Sequence, residues 1–277
     1  MNARTKRRIT TILAYVLAGI AVILTLFPIF WIFTISIKTQ RDAFAMPPVF
    51  IFKPIWSNYI KIWQTAGFGA AFRNSIIVTI IGVVLSLVVG IPAAYAMNRL
   101  PFKGEKSLSV WLLLSYMLPE FLFIIPMYVL YQHIGLYDTQ VGLAIVYQVF
   151  LLPFAIWLLR GFFADVPIEL EEAARIDGCS RLQTLYKIYF PLTAPGIAAT
   201  AILAAIWIWN ELTISLALTF DAARTVTVAV AGFRGYASID WGSMTAASIV
   251  SIIPMFIFAA LAQKYIVEGL TLGAVKE

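Results

Sequence analysis

Charged residues in this chain are concentrated in one short stretch, ELEEAARIDGCSRLQTLYK, which covers residues 169–187. It holds four acidic and three basic residues, whereas 61% of the 277-residue chain is hydrophobic and 12% is charged. Charges of both signs on an exposed element can complement the charges of a partner surface. The composition of this stretch therefore predicts a docking element.

A second set of candidates lies inside the apolar runs, where polar side chains are costly and usually functional. The set consists of Glu120, Gln148, Trp209, Asn210 and Glu211. Carboxylates and amides can hydrogen-bond hydroxyl groups, and an indole face suits a sugar ring. We expect Glu120, Asn210 and Glu211 to face the interior of a helix bundle and to line a solute path or its gate. A buried structural pair is the alternative for Glu120.

Composition excludes several kinds of chemistry. Cys179 is the only cysteine and His133 the only histidine, so an internal disulfide and a Cys- or His-based metal cluster are excluded. The chain has no G-x-x-x-x-G-K-[ST] loop to hold ATP phosphates, and neither H-E-x-x-H nor G-x-S-x-G is present. We expect a protein that is not an enzyme and has no cofactor or metal of its own. Its net charge of +6 indicates membrane topology rather than nucleic-acid binding.

Six apolar runs are long enough to cross a bilayer, whose core of about 30 Å requires about 20 helical residues. They cover residues 9–37, 74–97, 108–131, 142–159, 193–218 and 243–266. The first run is much longer than the core of a signal peptide, so we interpret it as a retained helix. We predict an all-α membrane protein with six transmembrane helices, forming a single transmembrane domain over residues 1–277.

The distribution of Lys and Arg predicts the orientation in the membrane. With the N-terminus inside, thirteen of the 20 basic residues lie on inner segments and seven on outer segments. Basic residues favour the cytoplasmic side, so we expect both termini in the cytoplasm. The charged stretch then also lies in the cytoplasm, between the fourth and fifth spans.

Two short helices are predicted within residues 164–192, which we name the EAA segment after Glu172-Ala173-Ala174. Pro167 suits the first turn of the first helix, and Gly178 can end that helix in a left-handed residue. Ser180 and Gln183 have the spacing of a capping box for the second helix. An apolar stripe is predicted on that helix at Leu182, Leu185, Tyr186 and Tyr189.

The EAA segment resembles the loop E-A-A-x3-G-x9-I-x-L-P of the permeases of binding-protein-dependent ABC importers. The matching residues are Glu172-Ala173-Ala174, Gly178 and Ile188-x-Phe190-Pro191, with Phe190 in place of Leu as the one departure. HIGLYDTQVGL, Trp209-Asn210-Glu211 and EGLTLGAVK resemble the carbohydrate-uptake branch of that family, the maltose type. The resemblance covers most of the chain from Leu130 onward, and the N-terminal third matches mainly in layout.

The resemblance implies the shorter, six-span subunit of a type I ABC importer for a sugar, polyol or related solute. The implied partners are a second permease chain in a heterodimer, two ATPase subunits that hold ATP and Mg, and an extracytoplasmic solute-binding protein. The implied location is the inner membrane of a bacterium. The EAA segment would provide a cytoplasmic coupling helix, and Glu172 would face an ATPase arginine. The coupling residues that the resemblance implies are Glu172, Ala173, Ala174, Asp177 and Gly178.

Two alternatives follow from the same residues. A proton-coupled secondary carrier could use Glu120 or Glu211 as its proton site, although such carriers usually have inverted repeats and more spans. The EAA segment could also lie in the lipid headgroups. Helices of that kind prefer Lys and Arg on their polar face, whereas Glu169, Glu171 and Glu172 lead this one.

The predicted orientation can be tested by cysteine labelling. A cysteine introduced at Ser57 or Ser238 should react with an impermeant thiol reagent added from outside, because both positions lie in predicted outer loops. A cysteine at Ser107, in a predicted inner loop, should not react. Labelling of position 107 from outside would reverse the assignment of inner and outer loops.

Overall fold

The computed structural model describes residues 3–64, 67–100, 102–233 and 239–273. Ser238 and residues 274–276 of the C-terminal motif lie outside the described residues, whereas Ser57 and Ser107 are described and exposed. The described residues form helices and connecting loops without a β-strand. In chain order the helices are α1 (Ala3–Ser36), α2 (Gln40–Phe44), α3 (Ser57–Gln64), α4 (Phe68–Arg99), α5 (Glu105–Met117), α6 (Phe121–Ile134), α7 (Gln140–Val146), α8 (Gln148–Ala164), α9 (Ile168–Ile176), α10 (Arg181–Thr184), a π-helical turn (Leu185–Tyr189), α11 (Phe190–Leu192), α12 (Ala194–Asn210), α13 (Thr213–Leu218), α14 (Val226–Ala231) and α15 (Trp241–Gly273).

The chain clusters into two compact units. The first contains residues 1–68 and 230–252, and the second contains residues 69–229 and 253–277. The EAA segment and all the candidate solute-path residues belong to the second unit. The single domain over residues 1–277 stays a prediction.

Within the described residues, three straight helices and three bent helix pairs are long and apolar enough to give up to six spans. The straight spans are Thr10–Ser36, Phe68–Arg99 and Trp241–Gln263. The bent pairs are α5 with α6 at 94°, α7 with α8 at 50°, and Arg181–Leu192 with α12 at 80°. The third and fourth predicted runs correspond to bent helix pairs. The fifth, residues 193–218, consists of α12 and α13 with a break between them, whereas Arg181–Leu192 precedes that run and belongs to the EAA segment.

The sequence explains the break between α5 and α6. Leu118 ends α5 in an extended conformation, with φ −69° and ψ 134°. A residue that precedes proline is disfavoured in the α region, because the proline ring clashes with its backbone. Pro119 therefore prevents α5 from continuing, and α6 starts in a new direction at Phe121. This break places Glu120 at the junction of the two halves.

Polar contacts order the loops of the first unit. The Lys38 ammonium is buried between two aromatic rings, 5.0 Å from the centroid of Trp31 and 4.7 Å from that of Phe52. Asp240 accepts a hydrogen bond from Lys61 at 2.5 Å and one from the Ser243 N–H at 3.1 Å at the start of α15. Burial alone would raise the pKa of Asp240, but the bonds from Lys61 and Ser243 outweigh it and lower the pKa.

A single carboxylate organises a loop of the second unit. Asp138, at φ 55°, accepts hydrogen bonds from the backbone N–H groups of residues 220–223 at 2.9–3.2 Å. Burial raises the pKa of Asp138, but these four backbone bonds dominate and lower it. Asn74 supports the same loop by donating to the carbonyls of Ala222 and Arg224 at 2.9 and 3.1 Å. The loop after α13 is therefore tied to the start of α4 and to the turn before α7.

Candidate functional site

The second unit contains a cavity of about 590 Å³ between α5, α8, α12 and the break that precedes α13. This volume is within the range of small-molecule sites, roughly 300–1,000 Å³. Its polar lining consists of Glu120, Asn210, Glu211 and Thr213. Its aromatic lining consists of Tyr116, Phe150, Phe154 and Trp207. The structure thus brings together three of the five candidate residues.

Glu120 reaches the cavity from the break between α5 and α6. Its side chain is half-buried, and within the described residues its carboxylate has no hydrogen-bond or ion-pair partner. Both carboxylate oxygens are therefore available to accept hydrogen bonds. A buried structural pair, the alternative considered for this residue, is not found within the described residues.

Glu211 lines the same cavity but its oxygens are already used. The side chain is 7% exposed, and it accepts hydrogen bonds from the Tyr147 hydroxyl at 2.7 Å and from the N–H groups of Ile214 at 2.6 Å and Ser215 at 3.0 Å. The last two donors belong to the first turn of α13, where N–H groups have no partner within the helix. The carboxylate therefore caps α13 and holds the α12–α13 break in place.

Tyr147 was not a candidate from the sequence. It is fully buried at the junction of α7 and α8, and its ring packs edge-on against Trp207 with centroids 5.4 Å apart. A signal was present, because a tyrosine within an apolar run needs a partner for its hydroxyl when it is buried. The sequence could not show that this partner is Glu211.

Asn210 presents a different group to the cavity. Its amide nitrogen donates to the carbonyl of Ile206 at 2.8 Å and lies 3.3 Å from the sulfur of Met255. Its amide oxygen has no hydrogen-bond partner within the described residues. Asn210 therefore offers a hydrogen-bond acceptor in the same cavity as the Glu120 carboxylate.

The structure places Gln148 and Trp209 outside this cavity. The Gln148 amide donates to the carbonyls of Gly82 at 3.1 Å and Ala144 at 2.9 Å. Trp209 is buried against Phe72 and Phe258, with ring centroids 5.4 and 6.2 Å away.

Helix geometry explains why Trp207 lines the cavity and Trp209 does not. Residues three apart share a helix face, whereas residues two apart do not. Trp207 therefore shares the cavity face of α12 with Asn210, and Trp209 points to a different side.

The EAA segment forms the predicted helix–turn–helix. Gly178, just after α9, has a φ of +85°. Its N–H donates to the Arg175 carbonyl at 3.1 Å, and the N–H of Cys179 donates to the Ala174 carbonyl at 2.9 Å. These two bonds define a Schellman motif, which requires the left-handed residue that glycine adopts without strain. The sharp turn is therefore specified by residue type.

The second helix of the EAA segment has the predicted start. Ser180 and Gln183 form a complete capping box, in which each side chain accepts from the backbone N–H of the other residue. The predicted apolar stripe is wrong, however, because Leu185 and Tyr189 are buried whereas Leu182 and Tyr186 are exposed. The π-helical turn at Leu185–Tyr189 has i→i+5 bonds and shifts the register away from the α-helical one.

The exposed side of the EAA segment carries four of the five candidate coupling residues. Glu172, Ala173, Asp177 and Gly178 are exposed, and Ala174 faces inward. Beside them, Ile176 is 86% exposed and Leu182 is 66% exposed. Exposed apolar side chains rimmed by charge are typical of an interaction surface.

The cap on α13 predicts a stability effect at Glu211. Glu211→Ala removes the acceptor of three buried donors and should lower the free energy of unfolding by about 1–3 kcal/mol. The loss would appear as a lower unfolding temperature of the purified protein in detergent. Asn210→Ala, in the same cavity but without a bond to α13, should unfold close to the parent temperature. Equal temperatures for Glu211→Ala and the parent would contradict the capping role.

Comparison with known proteins agrees with this architecture. Residues 82–271 match the family of binding-protein-dependent transport system inner membrane components. The trehalose transport system permease protein SugB of Mycobacterium tuberculosis is 40% identical over 257 residues, covering 91% of this chain and 92% of the relative. The trehalose/maltose transport system permease protein MalG of Thermococcus litoralis is 36% identical over 280 residues, covering 100% and 99%.

A solved structure has the same fold. A chain of a bacterial ABC transporter involved in the import of the acidic polysaccharide alginate superposes with a TM-score of 0.77 and 27% sequence identity. The match covers 96% of this chain and 99% of the other. The broken spans and the EAA segment thus occur in a chain whose family is established over most of its length. The chain belongs to the binding-protein-dependent transport system inner membrane components, the permease subunits of type I ABC importers.

Proposed function

We propose that this permease subunit forms half of the translocation path for a sugar or a closely related polyhydroxylated solute. The observation that carries this proposal is the cavity in which the Glu120 carboxylate and the Asn210 amide oxygen have no protein donors. Hydroxyl groups of a solute can donate hydrogen bonds to both of these acceptors. The relatives named for trehalose and maltose transport support the same class of solute.

The charge of the cavity favours a neutral solute over an acidic one. Its lining, as described, includes two carboxylates, Glu120 and Glu211, and neither Lys nor Arg. An anionic group at this site would be repelled by Glu120 without a cation to balance it. The faces of Tyr116 and Trp207 can pack against the apolar faces of sugar rings.

Membership of the ABC importer permease family argues against the alternative of a proton-coupled secondary carrier. The geometry of Glu211, one of the two proton-site candidates, agrees with this outcome. Its oxygens are bonded by Tyr147 and by two backbone N–H groups, so the carboxylate serves to hold α13. Energy for transport must then come from a partner, since the chain has no phosphate-binding loop.

The EAA segment is the proposed contact with that partner. In this proposal, a second permease chain completes the path as a heterodimer, two ATPase subunits bind ATP and Mg, and an extracytoplasmic protein delivers the solute. Both termini and the EAA segment lie on the cytoplasmic side of a bacterial inner membrane. The exposed Glu172 faces an arginine of the ATPase, and Ile176 and Leu182 enter an apolar groove beside it.

The solute site is tested by transport kinetics of two cavity variants. Glu120→Gln should raise the half-saturation concentration for uptake by about tenfold or more, because a bond to a charged acceptor contributes about 1.5–3 kcal/mol. Asn210→Ala should raise it by about two- to tenfold, because a bond to a neutral acceptor contributes about 0.5–1.5 kcal/mol. ATP hydrolysis stimulated by loaded binding protein should persist in both variants. Asp221→Asn, an exposed carboxylate outside the cavity, is the matched control.

Other outcomes of this experiment are equally informative. A solute leak or lost stimulation of hydrolysis, with unchanged half-saturation, would indicate that these residues act in a gate. Parental uptake kinetics in both variants would remove Glu120 and Asn210 from the solute path.

The coupling role is tested by charge reversal on α9. Glu172→Lys should weaken recovery of the ATPase with tagged permease at least about tenfold, because it places two cations opposite each other in a desolvated contact. Glu169→Lys, which reverses another exposed acid of the same helix, should retain the ATPase. Failure of the parent permease to recover any ATPase would contradict the proposed function itself.

A further inference from the structure

A buried cluster of polar and aromatic side chains joins the EAA segment to the end of α4. The Tyr95 hydroxyl donates to one oxygen of Glu171 at 2.9 Å, and the Tyr189 hydroxyl donates to the other at 2.8 Å. Glu171 is 7% exposed, Tyr95 is 4% exposed and Tyr189 is fully buried. One carboxylate therefore links α9, the π-helical turn and the transmembrane helix α4.

Arg99 supplies the positive charge that a buried carboxylate requires. It lies one turn after Tyr95 on α4, with its Nε 3.9 Å from a Glu171 oxygen and its guanidinium 5.4 Å from the centre of the Tyr189 ring. Its Nη2 donates to the carbonyl of Phe163 at 3.1 Å and to that of Val166. Arg99 thus also holds the end of α8, from which the EAA segment begins.

The π-helical turn places Tyr189 in this cluster. The N–H of Phe190 donates to the carbonyl of Leu185, which is the i→i+5 bond of the turn. The Tyr189 ring packs edge-on against Tyr95 and Phe163, with centroids 5.0 and 5.6 Å away. Single π turns are uncommon and often occur at functional sites. Here the turn brings the tyrosine hydroxyl to Glu171.

Two adjacent glutamates of α9, Glu171 and Glu172, lie on different sides of the helix. Consecutive residues of an α-helix are rotated by about 100°, so Glu172 is exposed whereas Glu171 points into the cluster. A force on the exposed side of α9 therefore reaches Tyr95 of α4 through one hydrogen bond of 2.9 Å from Glu171, while the second bond of Glu171 holds Tyr189 in the same cluster. Earlier on α4, the carbonyl of Gly82 accepts a hydrogen bond from the side chain of Gln148 on α8. This helix also supplies Phe150 and Phe154 to the cavity.

We infer that Glu171 is a positioning residue for transport: by bonding Tyr95 and Tyr189, it makes α9 move together with α4 when the EAA segment is displaced. This inference rests on the proposed function, in which an ATPase displaces that segment. The docking residues transfer force to α9, and Glu171 transfers it from α9 to the transmembrane helix α4.

The test uses the complete importer, reconstituted with its ATPase and binding protein, and a double variant that keeps both rings. Tyr95→Phe/Tyr189→Phe removes only the two hydroxyl donors, so α9 should dock as before but slip relative to α4. We expect the amount of ATP hydrolysed per solute molecule transported to rise at least about threefold. Recovery of the ATPase with tagged permease should equal that of the parent. Tyr186→Phe, which alters an exposed tyrosine of the same segment, is the control.

If the double variant is not recovered from membranes, a second variant, Glu171→Gln, takes its place. It removes the charge with little change in shape and should raise the same ratio of ATP hydrolysed to solute transported. A merely structural role would lower transport and hydrolysis together, with an unchanged ratio, and that result would overturn the inference. Loss of ATPase recovery in the variants would overturn it too, since it would place the cluster in docking. A parent importer without ATP-dependent uptake would instead contradict the proposed function.

Discussion

The bilayer cannot form hydrogen bonds with a peptide backbone, and this constraint determines where the functional groups of the permease lie. A continuous helix satisfies its own backbone, whereas a broken span exposes N–H and carbonyl groups that side chains must satisfy. Among the described residues, the predicted third, fourth and fifth spans are broken, the fifth between α12 and α13. At the α12–α13 break, Glu211 bonds two backbone N–H groups. At the α5–α6 break, Glu120 is instead left with open oxygens, and the cavity forms between these two sites.

The carboxylates of the second unit illustrate how one functional group takes different roles according to its neighbours. Asp138, Glu211 and Glu171 each accept several hydrogen bonds from the protein, so each holds segments together. The carboxylates of Glu120, in the cavity, and Glu172, on the exposed side of α9, accept no hydrogen bond from any described residue. Unpaired acceptors of this kind are suited to ligands and partners, because binding then supplies the missing donor.

Rigid packing connects these two surfaces. Gly82 permits close approach of α4 to Ile208 of α12, since a Cβ at position 82 would lie 2.7 Å from the Ile208 side chain. The same helix carries Tyr95 and Arg99, which hold the EAA segment. A displacement of α9 can therefore reach the helices that line the cavity through tightly packed groups, which have few alternative arrangements.

The sequence by itself determined the features that depend on local chemistry. Span length follows from the thickness of the bilayer, and the apolar runs predicted the helical spans. The turn at Gly178 and the capping box at Ser180 depend on residues close together in the chain, and both are present. Even the break at Pro119 has a local cause, since Leu118 is forced out of the helical region.

Only the tertiary structure decided which carboxylates already accept hydrogen bonds from the protein and which can accept them from a ligand or a partner. Glu211 and Glu120 have the same side chain and line the same cavity, and they differ because Tyr147, 64 residues away from Glu211, donates to one of them. Likewise, Glu171 and Glu172 are adjacent, and Tyr95, 76 residues before Glu171, is the partner that helps to hold one of them inside. Periodicity also misplaced Leu182 and Tyr186, which are exposed, because burial depends on which side of the helix packs against the rest of the protein. A hydrogen bond between distant residues depends on how whole helices pack, and neither composition nor spacing within one helix contains that information.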